Sequence, residues 1–126
     1  MRQAYAYLIG AIAGVMMVPT ASAGSDLVHA FAVCTGRLSA EMEHSWLVYS
    51  DRADQAEAQR NAMADLLLAV TDGDNAMQVL SLRINAKAAH GALLARAAFA
   101  EDPAQADRAR HLAARHVAGC TAFLLA

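Results

Sequence analysis

The sequence contains little proline and few β-branched residues, and both shortages favour helix over strand. Two prolines occur in 126 residues, and valine and isoleucine are sparse beside abundant alanine and leucine. Alanine and leucine are strong helix formers, whereas β-branched residues are enriched in strands. No segment alternates apolar and polar residues as a half-buried strand would. We therefore expect an all-α protein.

Motifs that would indicate catalysis or cofactor binding are also missing. There is no Cys-x-x-Cys-His for covalent haem attachment, no glycine-rich phosphate loop and no nucleophile-elbow frame around a serine. The formal net charge is -2 at pH 7, and non-specific nucleic-acid binding requires dense positive charge. We therefore expect no enzymatic activity, no cofactor and no nucleic-acid partner.

The first 23 residues have the pattern of a secretory signal peptide. After a short positive start, residues 4–18 are almost uninterruptedly apolar, Pro19 breaks the run, and residues 21–23 form a small-x-small cleavage site. Cleavage would leave residues 24–126 as a single domain, which we expect in the periplasm or outside the cell. A membrane role is expected only if the leader is retained as an anchor.

Apolar residues recur at three- and four-residue steps in four segments, which predicts four amphipathic helices. The first starts near residues 25–26 and ends near residue 50. The second starts at 51–54 and ends before the turn-forming residues 71–75, and the third runs from about 75 to 99. Asp102 is placed to cap the fourth, with Pro103 at its first helical position. Because the connections are short, we expect an up-down-up-down four-helix bundle.

Each predicted helix has an apolar face that we expect to be buried. Trp46 and Tyr49, at the end of the first helix, are expected in the core or capping one end of the bundle, in preference to forming a binding surface. On the third helix, six apolar or small residues lie in a line along one face. Four larger apolar residues beside this line make the face wider. The line comprises Met77, Leu80, Ile84, Ala88, Gly91 and Ala95, and the broadening residues are Val79, Leu82, Leu93 and Leu94.

The two cysteines predict a disulfide between the first and last helices. Cys34 lies near the start of the first helix and Cys120 near the end of the fourth, so both fall at the same end of the bundle. An oxidising compartment allows them to pair. A redox-active pair is disfavoured, because such cysteines are typically close in sequence. The chain-entropy relation gives roughly 4–5 kcal/mol of stabilisation for a loop of this length.

A ligand-binding bundle is the alternative function. Glu41 and His44 form one Glu-x-x-His spacing, but di-iron bundles use two, together with glutamates from two further helices. His44, His90 and His111 could still meet between helices, and Met42 with His111 could hold haem non-covalently. These five residues are the candidates for a haem, metal or small-ligand site, although we expect no metal.

The favoured function is that of an exported interaction or accessory protein with a protein partner. Carboxylates concentrate in the first two predicted helices, whereas arginines concentrate in the last two. Cationic residues recur there at helical spacing, which indicates either solvated faces or a docking surface for an acidic partner or anionic headgroups. The candidate partner-binding residues are Arg83, Lys87, His90, Arg108 and Arg115.

Overall fold

The computed structural model describes residues 21–125, which form four α-helices joined by short connections. The helices are α1 (Ala21–Leu47), α2 (Ala53–Val70), α3 (Ala76–Phe99) and α4 (Pro103–Thr121), followed by a 3-10 turn at Ala122–Leu124. The described part of the chain contains no strand. The predicted all-α, four-helix fold is therefore confirmed. The predicted leader lies outside the described residues up to position 20, and its last three residues begin α1.

The start of α4 is set by the predicted cap. Asp102 Oδ1 accepts a hydrogen bond of 2.9 Å from the Ala104 backbone N–H, and Pro103 occupies the first helical position. An N-terminal proline loses no helical hydrogen bond there. The other helix bounds fall within a few residues of those predicted, except that α1 begins at Ala21 and not near residue 25.

Helix α1 is the central element of the bundle. It packs against each of the other three helices, most extensively against α3 and then α2. A β-carbon at Gly36 would overlap the Arg83 carbonyl oxygen and lie 2.9 Å from both Ala86 Cβ and Lys87 N. Glycine is therefore required where α1 and α3 cross. Because of this close crossing, residues 32–42 of α1 are buried at almost every position.

The predicted disulfide is confirmed. Cys34 and Cys120 join α1 to α4, with their Cα atoms 5.3 Å apart and a sequence separation of 86 residues. Both cysteines are buried in a cluster with Leu38 and Met63. The bond therefore closes the bundle through its core and favours folding in an oxidising compartment.

The prediction that the line of residues from Met77 to Ala95 on α3 is buried is wrong for five of its six members, whereas three of the four broadening residues are buried as predicted. The buried residues of this helix are Val79, His90, Leu93 and Leu94, whereas Met77, Leu80, Ile84, Ala88 and Ala95 are exposed. The crossing at Gly36 explains the difference. At that point α3 presents backbone and the small Ala86 side chain, and bulky side chains such as Ile84 have no room between the helices.

No helix among the described residues is long and apolar enough to cross a membrane.

Candidate functional site

A carboxylate–histidine pair joins α1 to α3. The His90 side chain is almost completely buried, and its Nε2 lies 2.8 Å from Glu41 Oε1. A carboxylate oxygen can only accept, so His90 Nε2–H donates to Glu41. Both residues were predicted as members of a ligand site, and the structure brings these two together.

His116 of α4 completes this cluster. Its ring centroid lies 5.8 Å from that of His90, and the Nδ1 atoms of both rings are buried without a hydrogen-bond partner. Burial lowers the pKa of His116, and electrostatic interactions with Arg37, His90 and Arg115 lower it further. Sequence reasoning missed His116, because its neighbours in the cluster lie on other helices and no local spacing links them.

Glu41 also lines an open groove between α2 and α4, which we call the polar groove. Its volume is about 580 Å³, and its polar lining includes His44, Ser45, Arg52 and Arg110. His90 is not part of this lining, so its ring is held behind Glu41 and away from any molecule in the groove. The arrangement suits contact of a small molecule with Glu41 better than proton transfer by His90, and apolar atoms make up most of the exposed lining of the groove.

The five predicted ligand residues do not converge. Met42 is buried, whereas His111 is exposed on α4 beside Arg108 and Arg115. His44 shares the polar groove with Glu41. Among the residues that the structure describes, no group of three or more histidine, cysteine, aspartate or glutamate side chains is placed to hold a metal ion.

The predicted cationic docking surface is divided in the structure. His90 is buried, so its assignment to an exposed surface is wrong; the helix turns it towards the core. Lys87 Nζ lies 2.6 Å from Glu43 Oε1, and this exposed pair neutralises its charge. Arg83 is half-buried at the crossing with α1. Arg108 and Arg115 remain exposed on α4.

The end of α1 exposes four consecutive large apolar residues, Trp46, Leu47, Val48 and Tyr49, which we call the apolar pole. The expectation that Tyr49 lies in the core or caps the bundle is therefore wrong, since its side chain is 95% exposed, whereas Trp46 is 49% exposed. The reason is that α1 ends at Leu47, and the left-handed backbone of Tyr49 takes its side chain out of the helical spacing.

Tyr49 terminates α1 in a left-handed conformation, with φ of 51°. The Ser50 N–H donates to the Ser45 carbonyl over 2.9 Å, and the Tyr49 N–H donates to the Trp46 carbonyl over 3.3 Å. This is the Schellman arrangement, in which the left-handed position is usually glycine. A tyrosine there carries backbone strain while its side chain is left almost fully exposed.

A second groove, the apolar groove, lies on the other side of the end of α1. It has a volume of about 520 Å³ between α1 and α3. Leu47, Ile84 and Phe99 supply its large apolar side chains, with Ala88 and Gly91 between them. The apolar pole therefore stands between a polar groove and an apolar groove.

Comparisons of the chain with protein-family models, curated proteins and solved structures find no match.

Proposed function

We propose that this chain is an exported, non-catalytic interaction protein that docks a partner protein through its apolar pole. The leader pattern and the buried Cys34–Cys120 disulfide both support export to the periplasm or beyond it. The single observation that carries the docking proposal is the exposure of all four residues from Trp46 to Tyr49.

Runs of exposed apolar residues are unfavourable in a protein surface unless they serve a function. Tryptophan and tyrosine are enriched among the residues that dominate protein–protein binding energy. Trp46 and Tyr49 can each bury a large area and still satisfy a polar atom at the edge of an interface. The pole therefore has the composition of a binding surface.

The bundle holds this pole in place. The crossing at Gly36 and the disulfide at Cys34 both fix α1, whose last turn carries the pole. The strain at Tyr49 is retained although a glycine would relieve it. Strained residues of this kind concentrate at functional positions.

Site-specific photo-cross-linking in an exporting host tests the proposal. A photoreactive side chain at position 49 is expected to give an adduct with a partner protein, and Trp46→Ala is expected to weaken that adduct. The same side chain at exposed Glu57 of α2 is the matched control and is expected to give none. Absence of an adduct at position 49, or equal adducts at both positions, would contradict docking at the pole.

The polar groove favours a second candidate function, the binding of a small polar ligand. Its volume of about 580 Å³ lies within the roughly 300–1,000 Å³ range of small-molecule pockets. Glu41, Arg52 and Arg110 supply charges of both signs at its surface. A mass increment in the native but not the denatured exported protein, lost on Glu41→Gln, would support this function.

A further inference from the structure

Helix α3 carries a continuous apolar stripe on a side that the other helices leave largely uncovered, and the second half of this stripe lines the apolar groove beside α1. Seven residues form this outer stripe, at successive steps of 3, 4, 4, 3, 4 and 4: Met77, Leu80, Ile84, Ala88, Gly91, Ala95 and Phe99. The pattern repeats every 11 residues, close to the helical period, so the stripe runs nearly straight along the helix. At about 100° per residue, buried Val79 and Leu93 point about 200° away from Met77 and Ala95.

The large side chains of the outer stripe are exposed. Met77 is 78%, Ile84 57% and Phe99 76% exposed. With Leu80, these large side chains present on the order of 500 Å² of apolar surface, if each is taken within the roughly 150–250 Å² of an aromatic side chain. The largest apolar patch on a typical monomer is about 300–600 Å². Each partner in a standard interface contributes about 800 Å².

The order of large and small side chains along the stripe indicates which kind of surface covers it. The large residues Met77, Leu80 and Ile84 occupy the first half, whereas the small residues Ala88, Gly91 and Ala95 occupy the centre and most of the second half. If a second α3 lies antiparallel with Ala88 at the centre, Ile84 of one copy faces Gly91 of the other and Leu80 faces Ala95. Large side chains then fill the space over small ones, as close helix packing requires.

The charges beside the stripe are compatible with this pairing. Helix α3 contains arginine and lysine but no carboxylate, so two copies side by side would repel each other. Lys87, next to the central Ala88, is already paired with Glu43 of α1 at 2.6 Å. Because this ion pair neutralises Lys87, the cation nearest the centre of the stripe does not oppose the pairing.

We propose that the outer stripe of α3 binds the same stripe of a second copy of this chain, in an antiparallel, two-fold symmetric dimer centred on Ala88. This surface lies on a different face of α3 from the buried core residues, and the inference does not depend on docking at the apolar pole. A lipid surface is a poorer occupant, because Ala88, Gly91 and Ala95 at the centre of the stripe insert little apolar bulk, whereas they allow two helix backbones to approach closely.

Sedimentation of the purified exported protein over a wide concentration range tests the dimer. The expected mass is twice that of the single chain, falling towards one chain on dilution. Ile84→Glu places a carboxylate in the interface and is expected to weaken association on the order of a hundredfold. Asn85→Glu, on the adjacent exposed position, is the matched control and is expected to leave association unchanged. Circular dichroism and the intact disulfide establish that both variants are folded.

A single-chain mass at the highest concentration, or a dimer that survives Ile84→Glu, would overturn the proposal. So would a protein that stays monomeric and binds anionic vesicles through Ile84. A photo-cross-link from position 49 to a different protein leaves the dimer untouched, so failure of the dimer and failure of the proposed function are distinguishable.

Disulfide cross-linking tests the orientation of the two helices. Ala88→Cys is expected to cross-link to itself, because the two-fold axis brings the two copies of position 88 together. Met77→Cys is expected to cross-link with Phe99→Cys in a mixture of the two variants but not with itself. The ends of the stripe are about 33 Å apart along the helix, far beyond the roughly 7 Å reach of a disulfide. A Met77→Cys self-cross-link would overturn the antiparallel arrangement.

Discussion

The two apolar faces of α3 differ in what covers them. The inner face, with Val79, Leu93 and Leu94, is buried against the rest of the bundle. The outer stripe, with Met77, Ile84 and Phe99, is equally apolar and is exposed. A helix that is apolar on opposite sides normally has neighbours on both. We infer from this difference that the inner face serves folding and the outer face serves association.

The crossing with α1 decides which face is inside. At Gly36 the two helices approach so closely that α3 contributes backbone and the small Ala86 side chain. Side-chain size therefore matters more than apolar character at this position. The bulky outer residues face the solvent because the close crossing admits only small ones.

A larger residue at the crossing of α1 and α3 should lower the free energy of unfolding more than either of the two changes considered next. Gly36→Ala places a β-carbon against the Arg83 carbonyl oxygen, and we expect the free energy of unfolding to fall by about 2–3 kcal/mol from overpacking. Gly119→Ala is the matched control, because the position that its new β-carbon would take has nothing within 4 Å. That control should raise the free energy by roughly 0.5–1 kcal/mol. Urea denaturation measures both, and equal effects would show that the crossing is loose.

Removing the acceptor for His90 should have the next largest effect. Glu41→Ala leaves His90 Nε2 buried without a partner, which we expect to cost about 1–3 kcal/mol of unfolding free energy. Glu41→Gln retains an acceptor oxygen and should cost less. If the two substitutions are equally destabilising by urea denaturation, the hydrogen bond between α1 and the inner face of α3 contributes little.

A decrease in pH should have the smallest effect on the free energy of unfolding. The fold lowers the pKa of His116 below its ordinary value of 6.5, through burial and electrostatic interactions with Arg37, His90 and Arg115. The unfolded chain therefore binds a proton that the folded chain does not. The free energy of unfolding falls as pH decreases from about 6.5 to the lowered pKa of the folded protein.

Thermal melting at a series of pH values checks this prediction. His116→Gln is expected to melt with a weaker dependence on pH between neutral and mildly acidic conditions. His111→Gln, at an exposed position of the same helix, is the matched control. Identical pH profiles for His116→Gln and the unsubstituted protein would show that His116 does not contribute to acid sensitivity.

Features fixed by local chemistry were predictable from sequence. The Asp102 cap, the four helices and the Cys34–Cys120 bond all follow from short-range signals or from helix order, and the structure confirms them. The burial of His90 and its pairing with Glu41 were not predictable as a pair. They depend on how α3 is rotated about its axis, and that rotation is set by the distant Gly36.

The apolar pole shows a second limit of sequence reasoning. Trp46 and Tyr49 continue the helical spacing of α1, so the pattern alone places them in the core. Whether these two side chains are covered depends on where the neighbouring helices end. The spacing of apolar residues within α1 carries no information about those ends. The same limit applies to the outer stripe of α3, whose regular spacing predicts burial but does not specify which surface provides it.

The inference that only the inner face of α3 serves folding is tested most directly by one substitution on each face. The free energy of unfolding of both variants is measured by urea denaturation of dilute protein. Leu93→Ala removes a buried side chain and is expected to cost about 2–5 kcal/mol. Leu80→Ala is the same change on the outer stripe and is expected to cost less than about 1 kcal/mol. Equal losses of unfolding free energy in dilute solution would show that the outer stripe belongs to the core of the single chain. That result would contradict the division of α3 into a folding face and an association face.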